Sequence, residues 1–541
     1  MYFKFLTVSL LCLIFFGSWS LRVSASSSNE MKAGMKAELM SEVKGVLNST
    51  ESLYKTNCAS CHGEDRLGLM GPALLPENLS RLRQHKAINV IKDGRAATQM
   101  PSFSDKLSDE QIQSLVDMIY TPLDTMPEWD LSHIKNSRKT FYKDSALSSK
   151  PTFEADMMNL FIVVELGDHH ATVLDGDTFE PIHRFQTHFA LHGGPKYSPD
   201  GRYVYFASRD GWVSKFDIYN LKIVSEVRVG INTRNLAISS DGRYAMAANY
   251  LPNNLVLLNT SDLSPIKIID VKDNKGKSSR VSAVYNAPPR NSFVAALKDI
   301  KEVWEINYED TPPPGFGHWV HDYRSESGDA GKVEPFPIQK IKVSSFLDDF
   351  FFNQDYSLLF GASRDGEGLI LSLDARREIG SLDVPGMPHL GSGITWDYKG
   401  REVMATPNLK EGKVSIIDME SWKTIKHIET KGPGFFMRSH EKTPYAWVDV
   451  FFGPNKDLMH VIDKSTLEIV KTLQPVPGKT AAHIEFTKDG RYALMSIWDK
   501  EGALIVYDAA TLEEVKRLPM SKPSGKYNVF NKTSYSRGTS H

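Results

Sequence analysis

The sequence predicts an α plus all-β chain of two domains: a small α-helical domain at the N-terminal side and a large domain built as an eight-bladed β-propeller. Two observations carry this prediction. The motif Cys58-Ala-Ser-Cys61-His62 stands in a short region ending near residue 122, and beyond about residue 150 one strand-and-turn unit recurs eight times. At 541 residues the chain is also too long for a single ordinary hydrophobic core.

The helical domain is read from its cysteines. Two thiols three residues apart can add to two vinyl groups on one porphyrin edge, and the next residue then presents an imidazole to the iron. Cys58, Cys61 and His62 are therefore expected to attach one covalent haem c, which makes this a cytochrome c domain and the protein an electron carrier. A zinc or disulfide pair would lack the adjacent His or need a second Cys pair, and the third cysteine of the chain, Cys12, lies in the leader. The second axial ligand is expected from Met100 in Met100-Pro101-Ser102-Phe103, with Met70 as the alternative. A thioether ligand raises the potential and suits electron transfer rather than oxygen chemistry. Ser108 then reads as a helix N-cap and Gln111 as the closing residue of a capping box, ahead of the apolar stripe Ile112, Leu115, Val116 and Ile119.

Before this domain, Lys4, the apolar run from Phe5 to Phe16 and Val23-Ser24-Ala25 read as a secretory signal covering residues 1–25. Cys12 is followed by Leu-Ile-Phe-Phe, which fits the hydrophobic region of a signal and not a lipoprotein box. Export agrees with haem c, which is attached outside the bacterial cytoplasm, so a periplasmic address is expected. No other stretch is long and apolar enough to span a membrane. With 66 acidic and 64 basic side chains, well mixed, the formal net charge is −2, and nothing asks for a nucleic-acid partner. The expected organisation is a leader at 1–25, an extension at 26–46, the cytochrome c domain at 47–122, a polar linker at 123–150 and the propeller at 151–541.

The propeller is counted from repeats. Apolar strands ending in Asp or Asn before a short polar turn close at Asp175, Asp217, Asn259, Asn307, Asp374, Asp418, Asp463 and Asp508. Their spacings of 42, 42, 48, 67, 44, 45 and 45 residues match one four-stranded blade each, the long interval holding an insertion around residues 311–333. A companion Asp-Gly-Arg-Tyr turn at 200–203, 241–244 and 489–492 leads into a strand. A β-sandwich would not hold this period over so much sequence.

A propeller leaves a central pocket at one mouth, suited to a large flat ligand. Three histidines stand in unusual loops: His192 in Phe-Ala-Leu-His-Gly-Gly-Pro, His389 in Met-Pro-His-Leu-Gly-Ser-Gly, and His483 in Thr-Ala-Ala-His-Ile-Glu. Gly and Pro beside a His let the backbone approach a ligand. Arg209, Arg234 and Arg438 at loop-like positions are candidate carboxylate clamps, and Tyr527, near the terminus, is either part of a closing strand or a phenol in the mouth.

These motifs, with Ser-Arg-Asp-Gly-Trp and the closing Gly-Lys-Tyr-Asn-Val-Phe-Asn, resemble the cytochrome cd1 family over nearly the whole mature chain. The likeness is closer to the branch that works in haem d1 biosynthesis than to the nitrite reductases. The deciding departure is Phe346-Leu-Asp-Asp: the reductases place a His after Phe-Leu, to act with the His that matches His389, and here Asp348 stands there. A related propeller of the same pathway usually lacks the haem c domain, which Cys58 to His62 provide. The resemblance implies that the propeller binds dihydro-haem d1 and oxidises one propionate side chain to an acrylate, with electrons leaving through haem c to a soluble periplasmic acceptor. It implies His192 as the proximal ligand of the d1 iron, His389 and His483 as distal ligand and base in unresolved order, Tyr527 assisting, and Arg209, Arg234 and Arg438 holding carboxylates. A working nitrite reductase and a haem d1 carrier without chemistry are the alternatives, and a cytochrome cd1 nitrite reductase is an expected recipient of the product.

Overall fold

The computed structural model describes residues 49–534 except 81, 95–99, 314–315, 317–333, 364–365 and 367. The expected leader and extension, and most of the expected insertion, lie outside the described residues. A helix over residues 49–57 leads into the turn Ala59–His62, followed by Pro76–Leu79, Gln84–Asp93 and Asp109–Ile119. The last helix starts through the expected capping box: Gln111 N donates to Ser108 Oγ at 3.3 Å, and Ser108 N donates to Gln111 Oε1 at 2.9 Å. Its buried stripe of Ile112, Leu115, Val116 and Ile119 packs on Tyr54, Leu79, Ile91 and Phe103, and Cys58 and Met100 sit at the edge of this core.

The β domain is an eight-bladed ring of four-stranded antiparallel sheets. Blade 1 spans residues 161–186 and takes its innermost strand from the other end of the chain: Pro523–Asn528 pairs with Phe161–Glu165, with Ile162 opposite Tyr527. Blades 2 to 8 follow at residues 196–228, 232–270, 281–342, 349–382, 394–429, 437–473 and 481–520. Each of these runs from its innermost strand outward. Adjacent blades bury apolar faces against one another, as where Met246 and Leu255 of blade 3 meet Phe293 and Trp304 of blade 4.

The recurring Asp or Asn has a local physical reason. It ends the third strand, and its side-chain oxygen accepts the backbone N–H two residues on, as Asp217 does from Tyr219 at 2.9 Å, Asn259 from Ser261 at 2.9 Å and Asp508 from Ala510 at 2.9 Å. The turn then carries a non-glycine residue at positive φ, for example Leu263, Trp422 and Leu512. The Asp-Gly turns work similarly: Ser239 Oγ donates to Asp241 Oδ1 at 2.6 Å and accepts from Tyr244 N at 2.9 Å.

Residues 123–150 are laid onto the propeller. The helix Leu131–Ser137 buries Ile134 between blades 2 and 3, Trp129 Nε1 donates to Arg228 O at 3.0 Å, and Lys139–Thr140 adds a fifth strand to the outer edge of blade 2. The cytochrome domain touches the ring directly. Ala73 and Leu75, just after the haem-binding turn, form a buried cluster with Ile231 and Leu251 of the propeller. A Cβ on Gly68 would lie 2.8 Å from Asn232 Nδ2, on the inner strand of blade 3.

Candidate active site in the propeller lumen

Cys58, Cys61 and His62 occupy one helical turn, which puts the two thiols, three residues apart, on the same helix face. The thiols are half-buried and not joined to each other. His62 is buried, and its Nδ1 lies 2.8 Å from Pro72 O. That bond holds the N–H on Nδ1 and leaves the Nε2 lone pair available; burial, opposed by this carbonyl, lowers the ring's pKa and keeps it neutral. A Cβ on Gly71 would stand 2.5 Å from His62 Cε1, so only glycine lets the loop lie flat on the ring. These residues fit a covalent haem c.

The same arrangement occurs twice in the propeller. His192 lies in the loop before the inner strand of blade 2, with Nδ1 2.7 Å from Arg234 O. His389 lies in the loop before blade 6, with Nδ1 2.6 Å from Phe435 O. In both, a backbone carbonyl fixes the tautomer and leaves Nε2 as the acceptor. The Arg234 guanidinium rests on Nε2 of His192, and Asp349 Oδ2 lies 3.7 Å from Nε2 of His389. Burial, then the charges of Arg209 and Arg234, holds His192 well below its ordinary pKa.

His483 differs. It is the extra residue of a β-bulge in the inner strand of blade 8, at φ +51°, and its Nδ1 has no hydrogen-bond partner among the described residues. Its ring stands 5.3 Å from that of Tyr527, nearly edge-on. Tyr527 lies on the closing strand, and a Cβ on Gly194 would meet its Cε1 at 2.8 Å, so the glycines after His192 are what allow that loop to close on the phenol. Burial pushes the Tyr527 hydroxyl up to about 12, against the pull of Arg438.

Cations gather on two sides. On blades 2 to 4, Arg209, Arg234, Arg280 and Lys298 surround Tyr250; burial would raise this phenol, but the four charges outweigh burial and bring it to about 7. Arg280 and Lys298 have carboxylate partners in Asp299, at 2.7 Å, and Asp348, at 2.5 Å, whereas Arg209 and Arg234 have none among the described residues. On the other side, Arg438 of blade 7 couples electrostatically to Lys196, Lys532 and Tyr527, with Glu485 as the buried acid. Arg438 Nε has no hydrogen-bond partner among the described residues, and Lys532 Nζ lies 5.9 Å from the Tyr527 ring centre. Burial, with Arg438 nearby, lowers Lys196 to about 8 and Lys532 to about 7.

The structure corrects one sequence reading. Asp348 is not the carboxylate beside His389: its side chain pairs with Lys298, and it is Asp349 that faces the ring, also accepting Gly391 N at 2.6 Å and approached by Tyr285 OH at 3.3 Å. Asp349 opens the inner strand of blade 5 and Asp348 lies just before it, so a difference of one residue separates the two surroundings. Sequence reasoning also missed Lys196, Lys532, Tyr250 and Asp449. Lys196, four residues after His192 in His-Gly-Gly-Pro-Lys, was within reach of the loop argument, whereas Asp449 reads as an ordinary strand end.

Comparisons with known proteins agree with this layout. The family model described as Cytochrome D1 heme domain matches residues 155–318 and 327–532, and that described as Cytochrome C oxidase, cbb3-type, subunit III matches residues 46–119. The Dihydro-heme d1 dehydrogenase of Pseudomonas aeruginosa is 54% identical over 91% of this chain and 95% of its own length. A solved structure of Dihydro-heme d1 dehydrogenase NirN in complex with DHE, also 54% identical, superposes with a TM-score of 0.74, covering 89% of this chain and 99% of that one. The Nitrite reductase of Stutzerimonas stutzeri is 23% identical over 89% of this chain and 92% of its own length. The chain belongs to the cytochrome D1 heme domain family, with a cytochrome c domain joined to the N-terminal side of its propeller.

Proposed function

We propose that this protein is a dihydro-haem d1 dehydrogenase that converts one propionate side chain of its tetrapyrrole substrate to an acrylate. The observation that carries the reading is the shared hydrogen bonding of His192 and His389, set against His483 beside Tyr527, whose Nδ1 has no hydrogen-bond partner among the described residues. A metal-ligating His usually gives its second ring nitrogen to a carbonyl or carboxylate, while a base needs a nitrogen left open. His192 and His389 are accordingly the ligands of the substrate iron, and His483 with Tyr527 is the pair at the reacting side chain.

The reaction removes two hydrogens: CH2–CH2–COO− becomes CH=CH–COO− with release of two protons and two electrons. The carbon next to the carboxylate is the more acidic, and Arg438, Lys196 and Lys532 supply the positive charge that stabilises the carboxylate as that proton leaves. Arg209 and Arg234, without carboxylate partners of their own, hold other acid groups of the substrate. The electrons enter the conjugated macrocycle. Cys58, Cys61, His62 and Met100 would hold a covalent haem c, which would supply a one-electron exit to a soluble periplasmic acceptor. A cytochrome cd1 nitrite reductase is the recipient of the product.

The test is anaerobic incubation of the exported, haem c-loaded protein with dihydro-haem d1 and an electron acceptor, followed by mass spectrometry. Loss of two hydrogens is expected. Tight binding without mass change would leave a carrier, and nitrite turnover by the loaded protein would restore the reductase.

A further inference from the structure

The geometry points to Asp449 as a positioning residue that couples His389 to His483. Asp449 ends the second strand of blade 7 and is fully buried, and the hydrogen bonds it accepts from residues 435, 436 and 483 come from backbone N–H groups. Its Oδ1 accepts from Phe435 N at 2.7 Å and Phe436 N at 3.0 Å, and its Oδ2 accepts from His483 N at 3.3 Å. The two phenylalanines serve one histidine each. Phe435 offers its carbonyl to His389 Nδ1 and lays its ring 4.2 Å from the imidazole, while the Phe436 ring stands 4.8 Å from that of His483. One carboxylate thus anchors the peptide that orients His389 and the backbone that presents His483.

The His483 end needs this anchor. At φ +51° in a bulge, its N–H and C=O leave the regular strand ladder, and a β-carbon is strained there. Asp449 takes the N–H and Lys526 Nζ donates to the C=O, so two buried side chains hold one strained residue. Burial lifts the Asp449 carboxyl to about 7, and the three backbone N–H donors of Phe435, Phe436 and His483 oppose that rise.

This inference rests on the proposed ligation by His389, and the test separates the two. In the haem c-loaded protein with haem d1 bound, His389→Ala is expected to change the ligand-field spectrum of the d1 iron; an unchanged spectrum refutes the ligation itself, whatever Asp449 does. Asp449→Ala is expected to give the His389→Ala spectrum in part, and to lower kcat at least 10-fold with KM changed less than 3-fold. Asp449→Asn keeps an oxygen for Phe435 and Phe436 but turns an amide donor toward His483 N–H, so it is expected to keep the wild-type spectrum and lose only the His483 arm. Its rate should match that of His483→Ala within about 2-fold, with no further loss in the double variant. A wild-type spectrum in Asp449→Ala, or additive losses of Asp449→Asn and His483→Ala, overturns the proposal. The Asn arm decides the matter even if the Ala variant does not fold.

Discussion

Asp349 Oδ2 stands 3.7 Å from His389 Nε2, while Asp348, one residue earlier, turns the other way to Lys298 at 2.5 Å. The carboxylate beside the His389 ring is therefore not the one sequence matching selects. Asp348→His is expected to give no nitrite turnover and to break the buried Lys298–Asp348 ion pair. That costs about 3–5 kcal/mol, read as an earlier denaturant midpoint. Any gain in nitrite turnover is expected from Asp349→His, which sets a second imidazole beside His389.

Lys532 and Lys196 shed protons at about 7 and about 8, below the ordinary lysine value, because burial and Arg438 disfavour their charge. A bound carboxylate favours the charged form, so substrate binding near pH 8 takes up protons and weakens as pH rises through this range. Calorimetry in buffers of different ionisation enthalpy measures the uptake. The sign for stability is the reverse: with the folded pKa depressed, the unfolded state binds more protons between about 7 and 10.5, and these two groups make the substrate-free protein more stable as pH rises there. Lys196→Met with Lys532→Met should remove both effects.

Tyr527 shares its face of the lumen with His483, and its backbone carbonyl accepts Tyr197 OH at 2.9 Å, so the ring is held independently of its hydroxyl. Tyr527→Phe is expected to bind substrate within about 3-fold of wild type and to lose turnover by about 10²-fold or more, the usual scale of a positioned proton donor or acceptor. Single-turnover mass change at saturating substrate separates the two quantities.

Two glycines report on the ligand loops. Gly71→Ala would drive a methyl into His62 from 2.5 Å, and Gly194→Ala, at φ +69°, would do so to Tyr527 from 2.8 Å. The first is expected to lower haem c incorporation and shift the haem c potential while leaving d1 binding intact. The second should leave haem c unchanged and impair turnover in the propeller. Visible spectra and redox titration of the two variants check the separation.

The ring was legible because its signals are local. Asp217, Asn259 and Asp508 cap their turns through hydrogen bonds only two residues long, and such short-range geometry repeats wherever the residues repeat. The segment at 123–150 was less legible: Trp129 and Ile134 dock onto blades 2 and 3, partners some hundred residues away that composition does not reveal.

By itself the sequence determined the haem c attachment and the eight blades, since covalent spacing and turn chemistry act within a few residues, and it nominated His192, His389, His483, Tyr527 and the three arginines. Only the tertiary structure decided the surroundings of each. His389 and His483 are alike in sequence, and they part only because one meets the carbonyl of Phe435 and the other sits in a bulge held by Asp449 and Lys526. Side-chain direction on an inner strand depends on register and on neighbours from other blades, and those contacts exist only once the ring has closed.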